Sequence, residues 1–125
     1  MSHTLKRLST AALSLALVLG FAAAASAGEA ITKVEAVKVC MVNDALFQKD
    51  QIPVEVEGKT YYGCCEMCKN RLAQDEAIRY SMDPVTGEKV DKATAVFGAL
   101  ADGTVLYFES DETFEKYKKG EKSKG

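Results

Sequence analysis

The sequence predicts an α+β fold in which two tandem β-hairpin–helix units pack around one small core. Apolar and polar residues alternate at 52–56, Gly58 marks a turn, and β-prone residues follow at 60–62 before a helical stretch at 65–74. The same order of elements recurs at a constant offset of 45 residues. Because one hairpin and one helix bury too little apolar surface to be stable alone, we expect the two units to share their core.

The second unit repeats the hairpin of the first. A strand is expected at 93–100, a turn at 101–103 and a returning strand at 104–108, with Gly103 in the place of Gly58. The recurrence favours a duplicated unit, although two hairpin–helix segments can also match by chance.

A second helix is predicted directly after this hairpin. Ser110 is a good N-cap residue, and two acidic residues follow it in the first turn, where the helix dipole favours them. Phe114 and Tyr117 lie three residues apart on the expected apolar face, and Gly120 is expected to end the helix. The polar residues 120–125 are expected to form a disordered tail.

The N-terminal residues 1–27 have the pattern of a cleavable signal peptide. Lys6 and Arg7 precede an apolar stretch at 11–25, and a small-x-small sequence ends at Ala27. We therefore expect cleavage after Ala27 and a periplasmic or secreted protein. No stable membrane anchor is expected after cleavage, since the apolar stretch is short for a span of about 20 residues.

The charge balance of the chain predicts that nucleic acid is not a partner. Sixteen lysine and arginine residues face 18 acidic residues, and loss of Lys6 and Arg7 with the leader brings the net charge to about −4. Cleavage also removes His3, the single histidine of the chain. A metal site in the mature protein would then have to use sulfur or oxygen ligands.

The cysteines are the strongest functional signal. Cys64, Cys65 and Cys68 lie within five residues, and 23 residues separate Cys40 from Cys64. On a helix, spacings of three and four residues place side chains on one face. Cys64 lies at the junction of the predicted strand and helix, so it can turn towards Cys40. Such a group can bind a soft metal ion, form disulfides or act as a redox dithiol.

Cys40 followed by the spacing Cys64-x-x-x-Cys68, with two tyrosines and Gly63 before it, resembles the TRASH domain family. The resemblance implies metal ligands at Cys40, Cys64 and Cys68, with Cys65 as an optional fourth. The gap after Cys40 is slightly longer than in that family, and Cys65 is an extra thiol.

The second unit resembles the related YHS domain family. The segment 83–90 is similar to its D-P-V-C-G-M motif, and the segment 105–110 to its Y-Y-F-C-S motif. Thr86 and Glu109 stand where that pattern has cysteines, so this unit is expected to be a degenerate one that binds no metal.

Together the two resemblances imply treble-clef-like units, with a TRASH-like cysteine-containing unit at 28–82 and a degenerate YHS-like unit at 83–119. They also imply binding, trafficking or resistance for a soft metal ion. Cu(I) is preferred and Zn(II) is the other candidate, because the expected site is sulfur-only and the protein is expected to be exported. A metal transporter or another periplasmic protein is the candidate partner.

Two other functions fit the same cysteines. An exported chain with an even number of cysteines can be a small disulfide-stapled structural or interaction domain. Cys65 and Cys68 also have the C-x-x-C spacing of a thiol-redox protein, but the long βαβ context of thioredoxin-like enzymes is missing. We do not expect an enzyme.

Overall fold

The computed structural model describes residues 30–121, and these form a mixed α+β fold of short antiparallel strands and two helices. The elements are β1 (Ile31–Val34), β2 (Val39–Cys40), β3 (Ala45–Leu46), β4 (Ile52–Val56), β5 (Lys59–Gly63), α1 (Glu66–Gln74), β6 (Tyr80–Met82), β7 (Lys89–Asp91), β8 (Val96–Leu100), β9 (Val105–Phe108) and α2 (Asp111–Lys118). One sheet has three strands in the order β1-β8-β9, and the other strands pair as β2-β3, β4-β5 and β6-β7.

The first predicted hairpin and helix are present. Strands β4 and β5 pair from Ile52 opposite Gly63 to Val56 opposite Lys59. Glu57 and Gly58 between them both have positive φ, of 53° and 78°, as a two-residue type I′ turn requires. Helix α1 begins at Glu66, one residue later than predicted, with Cys65 as its N-cap.

The second hairpin differs from the prediction at its first strand. Strand β8 begins at Val96 and not at residue 93, because Asp91 holds the preceding residues in a turn. Its carboxylate accepts the N–H of Ala93 at 2.9 Å, and its carbonyl accepts the N–H of Thr94 at 3.2 Å. The turn at Gly103, with φ of 88°, and the returning strand β9 follow as predicted.

Helix α2 begins and ends with the capping groups that the sequence indicates. The hydroxyl of Ser110 accepts a hydrogen bond from the N–H of Thr113. At the other end the N–H of Gly120 bonds the carbonyl of Tyr117, and the N–H of Glu121 bonds that of Lys116. This is a Schellman motif, which includes the first two residues of the predicted tail.

The apolar core consists of two clusters and not the single one predicted. The larger cluster joins residues from both halves of the chain, among them Leu72 of α1 and Tyr107 of β9. The smaller one contains Ile31, Phe108, Phe114 and Tyr117. Alternate residues of β8 and β9 point to opposite faces of the sheet, so this three-stranded sheet has one cluster on each face.

Several sequence predictions are not settled by this fold. The treble-clef comparison stays a prediction, since the structure bears out only small antiparallel sheets with two helices. The predicted signal peptide at 1–27 and residues 122–125 of the predicted tail lie outside the described residues. Between residues 30 and 121, no helix has the length and apolar character needed to cross a membrane.

Candidate metal centre

Backbone contacts between two separate segments bring the cysteines together. Cys40 ends β2, and the N–H of the next residue, Met41, bonds the carbonyl of Tyr62 in β5 at 2.9 Å. The N–H of Tyr62 in turn points to the sulfur of Met41 at 3.4 Å. Cys64 follows β5 by one residue, so these contacts place Cys40 beside the start of α1.

The sulfur atoms of Cys40, Cys64 and Cys68 all lie within 4.8 Å of one another. The Sγ atoms of Cys64 and Cys68 are 3.6 Å apart. In a tetrahedral thiolate site with metal–sulfur bonds of about 2.3 Å, neighbouring sulfurs are about 3.7 Å apart. The distance between Cys64 and Cys68 is close to this value, and the three sulfurs together could hold one metal ion. Within residues 30–121 this is the only cluster of His, Cys, Asp or Glu side chains with such a geometry.

Burial divides the four cysteines. Cys40 is fully buried and Cys68 is 7% exposed, whereas Cys64 is half-buried and Cys65 is exposed. The Sγ of Cys65 lies 3.5 Å from that of Cys68, but Cys65 does not belong to the group of three. All four thiols are free.

The thiol pKa is lowered for buried Cys40 and for exposed Cys65, but for different reasons. Burial acts against ionisation of Cys40, yet the N–H groups of Asn43 and Val42 outweigh it and lower the pKa of that thiol. The N–H of Cys68 at the start of α1 lowers the pKa of Cys65, and hydrogen bonding to the Cys68 side chain adds to this effect.

The pKa values of the other two thiols, Cys64 and Cys68, are raised and not lowered. It raises the pKa of Cys64, and hydrogen bonding to Cys40 adds to this effect. It also raises the pKa of Cys68 to about 12, helped by hydrogen bonds with Cys65 and Cys64. The thiol pKa is therefore lowered at exposed Cys65 and raised at Cys64 and Cys68, where burial is the largest effect.

Asn43 is a neighbour of the centre that the sequence analysis did not identify. Its side-chain Nδ2 donates to the Sγ of Cys64 at 3.5 Å. An N–H donor to sulfur stabilises the thiolate form, which is the form that binds metal. The pair Asn43-Asp44 after Cys40 was the available signal, since these residue types favour turns that fold the chain back.

The turn that follows Cys40 is fixed from the other half of the chain. Asp44 has a positive φ of 50°, and its Oδ1 accepts hydrogen bonds from Nζ of Lys92 and the hydroxyl of Tyr107, each at 2.8 Å. The ammonium group of Lys92, which is 4% exposed, also donates to the carbonyl of Met41 at 2.7 Å. Residues of the second unit therefore fix the segment that positions Cys40.

Gly63 allows helix α1 to approach strand β5 closely. A Cβ atom at this position would lie 3.0 Å from the Cβ of Cys68 and 3.0 Å from the backbone nitrogen of Lys69. Glycine in a strand is the sequence signal for such an approach. The missing side chain lets Cys68 reach Cys64.

In the second unit, oxygen-bearing side chains stand at the two positions where the YHS pattern has cysteines. The hydroxyl of Thr86 donates to the carboxylate of Glu109 at 3.2 Å. Asp83 is fully buried, and its carboxylate accepts hydrogen bonds from the backbone of Val85, Thr86 and Glu109. The side chains of Asp83, Thr86 and Glu109 therefore have hydrogen-bond partners within the protein.

The methionines near the centre differ in environment. Met41 is fully buried, and its sulfur accepts the N–H of Tyr62, so it belongs to the core. Met67 follows Cys65 by two residues and is 73% exposed.

Comparison of the chain with protein-family models, with curated proteins and with solved structures finds no match. The resemblance to the TRASH and YHS families therefore stays a hypothesis, and the geometry of the cysteines is the basis for the functional argument.

Proposed function

We propose that this protein binds one thiophilic metal ion through Cys40, Cys64 and Cys68. The observation behind the proposal is that three sulfurs from two distant segments lie within 4.8 Å of one another. Thiolate sulfur is a soft ligand, and it selects Cu(I) or Zn(II) over Mg²⁺ or Ca²⁺.

Cu(I) is the preferred ion. The described residues contain no histidine, so the centre has no imidazole ligand. Structural Zn(II) sites take four ligands, and the group offers three buried or half-buried sulfurs. Zn(II) would need Cys65 or water as a fourth ligand, whereas Cu(I) is satisfied by three thiolates.

The biological role that fits this centre is binding, buffering or transfer of the ion outside the cytoplasm. The signal-peptide pattern at 1–27 supports export, and the resemblance to TRASH and YHS domains supports a role in metal trafficking or resistance. A metal transporter or another periplasmic protein is the partner proposed for that role, and the treble-clef-like pairing of units is proposed with it.

Native mass spectrometry of the reduced protein, titrated with Cu(I) and separately with Zn(II), tests this function. We expect one bound ion per chain in the wild type. Cys40→Ser, Cys64→Ser and Cys68→Ser should each lose binding at the same free metal concentration, because each removes a charged sulfur. Wild-type protein that binds neither ion, or serine variants that bind as well as the wild type, would refute the proposal.

A redox dithiol is the second candidate function. Cys65 is exposed and has a lowered pKa, and it lies 3.5 Å from the buried sulfur of Cys68. This is the pairing of an accessible thiolate with a buried second thiol that disulfide exchange uses. A structural disulfide between the same residues is the non-catalytic version of it. The redox dithiol and the structural disulfide both predict two free thiols when thiols are counted on protein taken from its native compartment. Metal binding predicts four.

A further inference from the structure

Cys68 lies in contact with two different groups of sulfur. Its Sγ is 3.6 Å from that of Cys64, within the buried group, and 3.5 Å from that of exposed Cys65. The chain therefore offers two chelates that share one ligand. The first is the buried group of three, and the second is a surface pair formed by Cys65 and Cys68.

Access separates the two chelates. Cys40 is fully buried and Cys68 is 7% exposed, so a ligand on another molecule cannot reach either of these two sulfurs directly. Cys65 is exposed at the N-terminus of α1, and the residue two positions further along, Met67, is exposed as well. An incoming metal complex therefore meets the sulfur of Cys65 before it meets Cys40 or Cys68.

We infer that Cys65 is the receiving thiol of the centre, through which a thiolate-ligated Cu(I) carrier passes its ion to the buried cysteines. The inference rests on the proposed function and assigns a separate role to the fourth cysteine. Cys65 first displaces one thiolate of the carrier, and Cys68 then displaces another. The ion next moves inward while it stays bound to Cys68, as Cys64 and Cys40 replace Cys65.

Each of these steps is a ligand exchange without oxidation or reduction. Cys65 loses a proton and bonds the ion as one bond to the carrier breaks, and each released carrier thiolate takes up a proton. Cys64, Cys68 and Cys40 lose their protons to solvent when they bind. Cys65 takes a proton back when its bond to the ion breaks, and the ion remains Cu(I) throughout.

The competing route leads directly through Cys64, which is half-buried and also borders the group of three. The two routes differ in what Cys65→Ser changes. If Cys65 is only a passing ligand, its loss raises the barrier for metal entering and leaving by the same amount. The equilibrium constant then stays the same while both rates fall.

Stopped-flow mixing of the reduced protein with the Cu(I) complex of glutathione, a thiolate-ligated carrier, measures the uptake rate through the change in copper–thiolate absorption. Excess bicinchoninate added to the loaded protein measures release. We expect Cys65→Ser to slow both by at least about tenfold, with an affinity within about threefold of the wild type. Glu66→Gln is the matched control, because it alters the exposed neighbour of Cys65 without touching sulfur, and its rates should equal those of the wild type.

Three results would overturn the inference. Equal rates in the wild type and Cys65→Ser would assign uptake to Cys64 and leave the metal-binding function intact. An affinity that falls as much in Cys65→Ser as in Cys68→Ser would make Cys65 a permanent ligand. Wild-type protein that takes up no Cu(I) would overturn this inference together with copper binding.

Discussion

The hydroxyl of Tyr107 donates a 2.8 Å hydrogen bond to Oδ1 of Asp44, and so the second hairpin holds the turn that follows Cys40. Burial raises the pKa of Tyr107 well above its ordinary value, and the charge of Asp44 adds to this effect. The phenol therefore stays protonated and remains a donor. The half of the chain without cysteines has a physical link to the metal centre through this contact.

Tyr107→Phe should weaken both the fold and the proposed metal binding. The change removes a hydrogen bond to a partly exposed carboxylate, which we expect to lower the free energy of unfolding by about 1 kcal/mol. It should also reduce metal affinity by about tenfold, the low end of the range for groups that support metal ligands. Denaturant unfolding and a competition titration measure the two effects.

Tyr61→Phe is the matched control for that variant. The hydroxyl of Tyr61 donates to Asp91 at 2.8 Å, so the same group is removed from a second buried tyrosine that bonds a carboxylate. The side chain of Asp91 bonds Lys59, Tyr61 and Ala93 and no residue of the turn after Cys40, so affinity should change by less than about twofold. Equal losses of affinity in the two variants would mean that the Tyr107–Asp44 contact has no special relation to the centre.

Gly63→Ala should disturb the centre more than it disturbs the fold. The new Cβ would lie 3.0 Å from the Cβ of Cys68 and from the backbone of α1, neither of which is a flexible chain end. Helix α1 must then move away from β5, and Cys68 moves with it relative to Cys64. We expect a stability loss of about 1–3 kcal/mol, and a metal affinity that falls in a competition titration.

Gly58→Ala provides the comparison within the same hairpin. Gly58 has a φ of 78° with open space around it, so alanine there causes backbone strain of about 1–2 kcal/mol but no steric overlap. Its metal affinity should match that of the wild type. If Gly63→Ala bound metal as tightly as Gly58→Ala, the close approach of α1 to β5 would not be needed to place Cys68 in the centre.

Turns and helix ends could be predicted from the sequence, because they depend on residues close together in the chain. The turn at Gly58, the cap at Ser110 and the end of α2 at Gly120 each depend on residues within one or two turns of chain. The placement of Cys64 beside Cys40 was also accessible, because a hairpin between them had to bring the chain back.

Long-range pairings could not be predicted in this way. Strand β1 pairs with β8, from Ile31 opposite Leu100 to Val34 opposite Phe97, and nothing in the segment 31–34 specifies that partner. The buried Lys92 is another example, since lysine is typical of surfaces and only the fold shows its carbonyl and carboxylate partners. The sequence therefore indicated the ligands but not the groups that hold them in place.

Cys65→Ser should make the metal-free protein more stable. Cys65 is the N-cap of α1 with an extended backbone but without a side-chain cap hydrogen bond, whereas Ser110 has nearly the same backbone angles and caps α2. Serine is a far better cap than most residues, so the Tm of the variant should rise by about 3 °C. A thermal melt in which the Tm falls would show that the sulfur of Cys65 contributes contacts that serine cannot replace.

The stability of the protein should fall in acid partly because of Asp83. Burial opposes the charged form, but the side chain of Thr113 and backbone N–H groups outweigh it and lower the pKa of Asp83. A carboxylate with a lowered pKa stabilises the fold above its unfolded-state pKa of about 4. That contribution is lost as the pH falls through the lower, folded-state pKa.

Asp83→Asn tests this pH dependence. At neutral pH we expect the variant to be less stable by at least about 2 kcal/mol, because a buried charged acceptor is lost. The difference from the wild type should narrow as the pH falls below about 4. Unfolding curves recorded from neutral to acidic pH measure it, and a constant difference would mean that Asp83 is not charged in the native fold.

X-ray absorption spectroscopy of the reduced protein loaded with one equivalent of Cu(I) tests the central claim most directly, since it counts the ligand atoms around the ion. The account predicts three sulfur atoms at about 2.3 Å in the wild type and a smaller number in Cys64→Ser. A shell of oxygen or nitrogen atoms, or a sulfur count that Cys64→Ser leaves unchanged, would contradict it.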